Sequence, residues 1–179
     1  PMNAILGGLQ LLKDAELPSD LKLVLNNATF SAQSLLTIIN DILDYSKMEA
    51  GKLQIVQEPF RLTQIIEDVT GLFTITAEQK DVELIVDFPY THDPMFIGDS
   101  MRLSQILSNL LGNAVKFTEQ GHVKLSIVIK EVAEKPGTAS VQFEVTDTGI
   151  GISNDLMDRI FQSFQQGSTF TTRKYGGTG

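Results

Sequence analysis

The 179-residue chain has no cysteine, so it can hold neither a disulfide nor a thiolate metal centre. Two histidines, His92 and His122, are too few to anchor zinc. Any metal must therefore be bound through oxygen. Positive charge is also scarce: 14 Lys and Arg against 22 Asp and Glu give a net charge of -8. A polyanionic duplex would be repelled rather than gathered, which argues against nucleic acid as a partner. Residues 4–12 form the longest apolar stretch near the start, about half of the ~20 residues a membrane helix needs, and no basic segment precedes them. Membrane attachment is expected only through parts outside this stretch of chain. An apolar content of 42% is enough to bury a core.

The opening Pro1-Met2-Asn3 and the closing Gly176-Gly177-Thr178-Gly179 both read as cut ends of something longer. Residues 1–15 favour a helix with Pro1 in its first turn. After a break at 16–19, with Ser19 as the expected cap, Leu21, Leu25, Ala28, Ala32, Leu35, Ile39, Ile42 and Ser46 follow a 4-3-4-3 spacing. That seam is flanked by Val24, Leu36, Ile38 and Leu43, a face too wide for one hairpin to cover. Two hairpins forming a four-helix bundle would cover it, as would packing on the chain's own second domain. Gly51 is placed to supply a left-handed cap, and a domain boundary is expected there.

Beyond it the pattern predicts a strand at 53–57, a helix at 62–80, a strand at 82–88 and a loop at 89–94. A helix capped by Asp99 or Ser100 comes next and runs through about residue 116. Strands at 123–132 and 140–146 flank a turn, and a short helix occupies 154–164. The fold class is α+β: a helical hairpin, then an α/β sandwich with a mixed, mainly antiparallel sheet carrying helices on one face.

Three features carry chemistry. On the helix after Asp99, Gln105, Asn109, Asn113 and Lys116 form a polar stripe. Asparagine competes with the helix for local backbone, so two at i and i+4 need a reason; neutral amide oxygens suit a magnesium that already carries phosphate. A solvated polar face would leave the same trace. Next, Asp147-Thr148-Gly149-Ile150-Gly151-Ile152 ends a strand on a carboxylate that can accept adenine's exocyclic amine, with Ile150 and Ile152 able to border the base. An unliganded turn has the same three-letter start. Finally, Gly176, Gly177 and Gly179 with Arg173 and Lys174 read as a lid able to cradle phosphate, or as a flexible tail.

Taken together in order, these segments resemble the catalytic core of sensor histidine kinases, most like the hybrid class, within the GHKL superfamily. The stretch Asn109-Leu110-Leu111-Gly112-Asn113-Ala114-Val115-Lys116-Phe117-Thr118 is similar to the family's asparagine box, and residues 147–152 to its first glycine box. Residues 159–165, with Phe164, resemble the phenylalanine box, and Tyr175-Gly176-Gly177-Thr178-Gly179 resembles the start of the second glycine box. Residues 1–7 resemble the family's segment just after the phosphoacceptor histidine, and 41–53 the end of its dimerisation hairpin. Four ordered boxes are far more specific than any one of them.

The resemblance implies a dimerisation and phosphotransfer hairpin at 1–51 and a catalytic domain with a Bergerat-type ATP-binding fold at 52–179. ATP and Mg2+ are the implied cofactors. Asn109 and Asn113 would hold magnesium on the phosphates, Asp147 would read adenine, and Gly149 and Gly151 would shape the pocket. Lys116 would contact phosphate, with Phe117, Ile152, Phe164, Tyr175 and Thr178 also at the nucleotide. The lid glycines Gly177 and Gly179, with Arg173, would close over the triphosphate. Asn109, Lys116 and Arg173 are the expected catalytic set.

The implied partners are a second copy, as a homodimer, and a response-regulator receiver domain. The implied setting is the cytoplasmic part of a bacterial inner-membrane sensor. The family's phosphorylated histidine would lie just upstream of Pro1, and His92 and His122 read as ordinary surface residues. Related ATPases of the chaperone and gyrase kind place Glu where this chain has Asn109, because hydrolysis needs a base to activate water. Asn cannot take a proton, which turns the chemistry toward an external nucleophile. A regulatory nucleotide-binding or kinase-pairing module without phosphotransfer activity of its own is the alternative reading.

Overall fold

The computed structural model describes residues 2–13, 15, 17–88, 94–132, 135, 137–153 and 157. The chain divides into two compact units, Pro1–Gln54 and Ile55–Gly179.

The first unit is a hairpin of α1 (Met2–Lys13) and α2 (Ser19–Glu49). No Gly or Pro interrupts the 31 residues of α2, so the helical hydrogen-bond ladder is unbroken. Ser19 does not cap it. Pro18 is the N-cap, no side chain accepts from the first turn, and the Pro18 carbonyl takes the Lys22 N–H at 2.9 Å. With Pro18 already in extended backbone, Ser19 is drawn into the first helical turn instead of sitting before it.

At the other end Gly51 adopts φ +64, as expected. Gly51 N donates to Met48 O at 3.0 Å and Lys52 N to Lys47 O at 2.8 Å, the paired bonds that close a helix through a left-handed glycine. Of the seam residues only Leu25 is buried; Leu21, Leu35, Ile39 and Ile42 stay exposed on the single chain.

The second unit runs β1 (Glu58–Arg61), α3 (Leu62–Gln79), β2 (Val82–Asp87), β3 (Met95–Gly98), α4 (Ser100–Phe117), β4 (Gly121–Glu131) and β5 (Ala139–Asp147). β2 pairs parallel to β4, and β4 antiparallel to β5, giving a mixed three-stranded sheet in the order β2-β4-β5. β1 and β3 form a separate antiparallel ribbon in which Phe60 stacks on Phe96.

Two expectations change here. Residues 53–57 are not a strand; the pairing begins at Glu58, because that is where β3 offers partners, and Ile55 and Val56 are exposed. β3 itself was not foreseen, since four residues carry too little alternation to be seen alone.

The core lies between one face of the three-stranded sheet and the two helices. Val123, Leu125 and Ile127 alternate inward along β4, and meet Leu62, Ile66 and Val69 of α3 and Leu107, Leu111 and Val115 of α4. That alternation fixes the register, since a one-residue slip would turn all three outward.

Asp99 holds the start of α4, as expected. Its Oδ1 accepts the Arg102 N–H at 3.0 Å and its Oδ2 the Val56 N–H at 3.1 Å, so one carboxylate caps a helix and ties down the segment before β1. Those two backbone donors, Arg102 first, hold its carboxyl below the usual carboxylate range. A native value below the unfolded one, which is about 3.9, gives stability that is present above that pH and lost as the pH falls through the native value. Asp99→Ala should therefore melt earlier than the parent at neutral pH. In melts at descending pH the gap should close in acid; a gap that stays constant would show that the carboxylate charge is not what stabilises.

Candidate functional site

The asparagine stripe, the aspartate turn and the end of α4 meet because β5 runs out beside β4. Asp147 lies opposite Val123 in the ladder, and the chain then turns across the last residues of α4. Thr148 N donates to His122 O at 3.1 Å, and Thr148 Oγ1 accepts the His122 N–H at 3.0 Å. Gly121, at φ +108, leaves room for that hydroxyl: a Cβ there would collide with Thr148 Oγ1. Two residues on, Ile150 N donates to the Phe117 carbonyl at 3.3 Å.

Within this turn the Asp147 carboxylate accepts the Gly149 N–H through Oδ1 at 2.9 Å, a short loop that orients the side chain. Among the described residues no partner appears for Oδ2. Gly149 is required by proximity, not by a left-handed backbone. A Cβ on it would lie 2.5 Å from Phe117 O and 2.9 Å from Phe117 C, both backbone atoms. Gly151 is the converse case: its φ is +66 and its surroundings are open. Ile150 and Ile152 are both more than half exposed.

On α4, Asn109 and Asn113 are exposed and Lys116 is half-buried. Spacings of four and three put them on one face of the helix, away from the buried Leu107, Leu111 and Val115. Lys116 Nζ sits 5.2 Å from the centre of the Phe117 ring, so its charge rests on an aromatic face beside the turn. The structure thus joins Asp147 to Gly149 and seats that turn on the Phe117 carbonyl, with Lys116 next along the helix and the two asparagines one and two turns back. Phe164, Arg173, Tyr175, Gly177, Thr178 and Gly179 lie outside the described residues, as does the helix expected at 154–164 apart from Met157.

Sequence reasoning missed the groups that set the end of α4. Thr118, fully buried, returns its hydroxyl to Ala114 O at 2.8 Å. Lys80, half-buried at the end of α3, sends Nζ to Val115 O at 2.8 Å and Lys116 O at 2.9 Å. A lysine ending a helix looks like any solvated charge in the sequence, and no local signal marks it.

A cavity of about 400 Å³ opens at the other end of α4, between Phe60, Arg61 and Asp68 on one side and Met101 and Ser104 on the other. It contains none of the residues above. Chemistry and depth therefore point to different places, and we place the site by chemistry, because that cavity has no acceptor and glycine arrangement for a nucleotide.

Comparison with known proteins bears on the family. Residues 98–179 match the family of histidine kinase-, DNA gyrase B- and HSP90-like ATPases, and residues 1–51 match the His Kinase A (phospho-acceptor) domain. The signal transduction histidine-protein kinase BarA of Escherichia coli (strain K12) is 38% identical over 179 residues, which is the whole of this chain and 19% of that protein. The sensor histidine kinase GacS of Pseudomonas protegens is 40% identical over 180 residues, again 19% of its length. The chain thus spans about a fifth of these relatives. Among solved structures, full-length ShkA in complex with AMPPNP superposes with a TM-score of 0.70 at 31% identity, covering 93% of this chain and 34% of that one. With a phospho-acceptor hairpin followed by an ATPase-like α/β unit in one order throughout, the chain belongs to the sensor histidine kinases, as part of their catalytic core.

Proposed function

We propose that this chain is the ATP-binding core of a two-component sensor kinase, which phosphorylates a histidine on the dimerisation hairpin and passes the phosphoryl group to a receiver-domain aspartate. The observation that carries the reading is the Asp147–Gly149 turn seated on the end of the asparagine helix. An acceptor for adenine and a face for phosphate are thereby built into one joint. Residues 1–51 serve as the dimerisation and phosphotransfer hairpin and 52–179 as the catalytic domain.

Asp147 Oδ2 takes the adenine amine while Oδ1 stays bonded to Gly149 N. Gly151, Ile152 and Phe117 border the base. Asn109, Asn113 and Lys116 line up toward the phosphates, and Phe164, Arg173, Tyr175, Gly177, Thr178 and Gly179 complete the cover. Among the described residues no cluster of three His, Cys, Asp or Glu could cage a metal. Magnesium accordingly suits the site as an ion carried by phosphate oxygens and steadied by the amide oxygens of Asn109 and Asn113. When bound, it supplies neutralisation of the charge on the transferred phosphoryl group. Asn109 stands where hydrolysis would need a carboxylate and cannot take a proton, which turns the chemistry toward an external nucleophile, proposed here to be the hairpin histidine.

The exposed seam of α2 is the surface on which two hairpins would pair as a homodimer, and a second copy would bury Leu35, Ile39 and Ile42. None of the described helices is long and apolar enough to cross a membrane. The whole protein is proposed to be a bacterial inner-membrane sensor with this core on the cytoplasmic side.

Calorimetric titration of Mg-ADP into the chain tests the site. Asp147→Asn preserves Oδ1 for Gly149 N and exchanges only the outward oxygen for a donor, so the turn stays while adenine recognition goes. Affinity should fall about tenfold to a hundredfold, the worth of a hydrogen bond to a charged acceptor. An unchanged affinity would remove Asp147 from the base.

A further inference from the structure

A helix leaves its last carbonyls without partners inside the helix, and each buried one needs a donor from elsewhere. At the end of α4 every such donor can be named. Ala114 O takes the Thr118 N–H at 3.1 Å and its hydroxyl at 2.8 Å. Val115 O and Lys116 O take the Lys80 ammonium at 2.8 and 2.9 Å, which also reaches Thr118 O at 3.3 Å. Phe117 O takes the Ile150 N–H at 3.3 Å. Two groups distant in sequence, Lys80 and the Asp147–Ile150 turn, therefore finish one helix end between them.

The position of Lys80 is itself constrained. Its N–H bonds Ala77 O at 3.0 Å, and the next residue, Asp81, takes φ +58, a left-handed step that ends α3 sharply before the buried Val82. The backbone thus fixes where the lysine stem starts, and the three carbonyls it reaches hold the ammonium at the negative end of the α4 dipole.

We propose that Lys80 is a positioning residue for the nucleotide site: by holding the carbonyls of Val115, Lys116 and Thr118 it sets where Phe117 O stands. The Phe117 carbonyl in turn sets the Gly149–Ile150 turn and the aim of Asp147. Lys80 touches no nucleotide. It lies outside the stretch 98–179 that matches the ATPase family. The inference rests on the reading of Asp147 and Gly149 as nucleotide residues given above. Its physical content is that loss of the charge frees the carbonyls of Val115, Lys116 and Thr118, and the helix end must rearrange around Phe117 to find them other donors.

Two measurements on the whole chain separate this role from plain stabilisation, using Lys80→Met, which keeps the apolar stem, and Lys80→Arg, which keeps the charge. Without nucleotide, amide hydrogen exchange at Ile150 should quicken about tenfold in Lys80→Met, with the first turns of α4 unchanged. With Mg-ADP, at a temperature where all variants are folded, the dissociation constant of Lys80→Met should rise about tenfold, and Lys80→Arg should recover most of the loss. A lowered melting temperature with parental exchange at Ile150 and parental affinity would overturn the proposal, leaving Lys80 as a helix cap alone. Failure of the parent chain to bind Mg-ADP would overturn the nucleotide reading instead, and the exchange at Ile150 would still decide whether Lys80 governs the turn.

Discussion

Leu111→Ala is expected to destabilise the α/β unit by about 2–5 kcal/mol, the range for removing a large aliphatic side chain from a packed core. Leu111 is 0% exposed on the inward face of α4, packed in one cluster with Leu107, Val123 and Leu125. β4 is pinned on both sides by its ladders with β2 and β5, so its side chains cannot slide in to fill the void. Little collapse means that most of the cavity term survives. Against a total of about 5–15 kcal/mol for a domain, this is a large fraction. Urea unfolding should show an earlier midpoint with an unchanged slope. The neighbouring Leu110 is 47% exposed on the other side of the helix, and its truncation should cost far less. Equal losses at the two positions would refute the assignment of the inward face.

That inward face was legible in the sequence because local rules suffice for α4. Leu103, Ile106, Leu107, Leu110, Leu111 and Ala114 read as one core face, of which Leu107, Leu111 and Ala114 are buried while Ile106 and Leu110, at the edges of that face, stay exposed. Asp99 stands where a cap is needed. Gly51 likewise announces the end of α2. β4 and β5 were legible because alternation over long strands is a strong signal. β3 has only Met95, Phe96, Ile97 and Gly98, and exists because β1 pairs with it, which is a long-range fact. The apolar run at 53–57 misled for the same reason: its backbone is taken by Asp99, forty-three residues away from Val56, rather than by a strand.

The site divides in the same manner. Asn109, Asn113, Lys116 and Asp147 could be singled out in the sequence only jointly, since a solvated polar face or an unliganded turn leaves the same trace as either feature alone. Their supports were invisible, because each acts across space. Lys80 reaches carbonyls 35 and 36 residues on, and Thr148 is fastened to His122 across 26. Gly121 is glycine on account of Thr148, and the reason appears only once β4 and β5 are paired.

Gly149→Ala is expected to weaken Mg-ADP binding about a hundredfold, the size of effect that a misplacement of about 1 Å produces in a positioned site. The added methyl would stand 2.5 Å from Phe117 O, 2.9 Å from Phe117 C and 2.8 Å from Asp147 Oδ1, where ordinary contact begins at 3.4 Å. Two of those three atoms are backbone at a helix end whose other carbonyls are held by Lys80 and Thr118, so α4 cannot yield cheaply. The turn must move, and Asp147 moves with it, since the same shift strains the bond from Gly149 N to its Oδ1. Overpacking of this kind also costs about 1–3 kcal/mol of stability, so affinity should be read well below the melting temperature. Gly151→Ala supplies the comparison. Nothing lies within 4 Å of a Cβ there, and its penalty is the left-handed backbone at φ +66. That penalty is about 1–3 kcal/mol; because Gly151 is proposed to border the base some affinity should be lost as well, but less than in Gly149→Ala, since no neighbouring atom has to move. If Gly149→Ala binds Mg-ADP as the parent does, the packing of the turn on Phe117 does not position the nucleotide, and Asp147 must be aimed by something else.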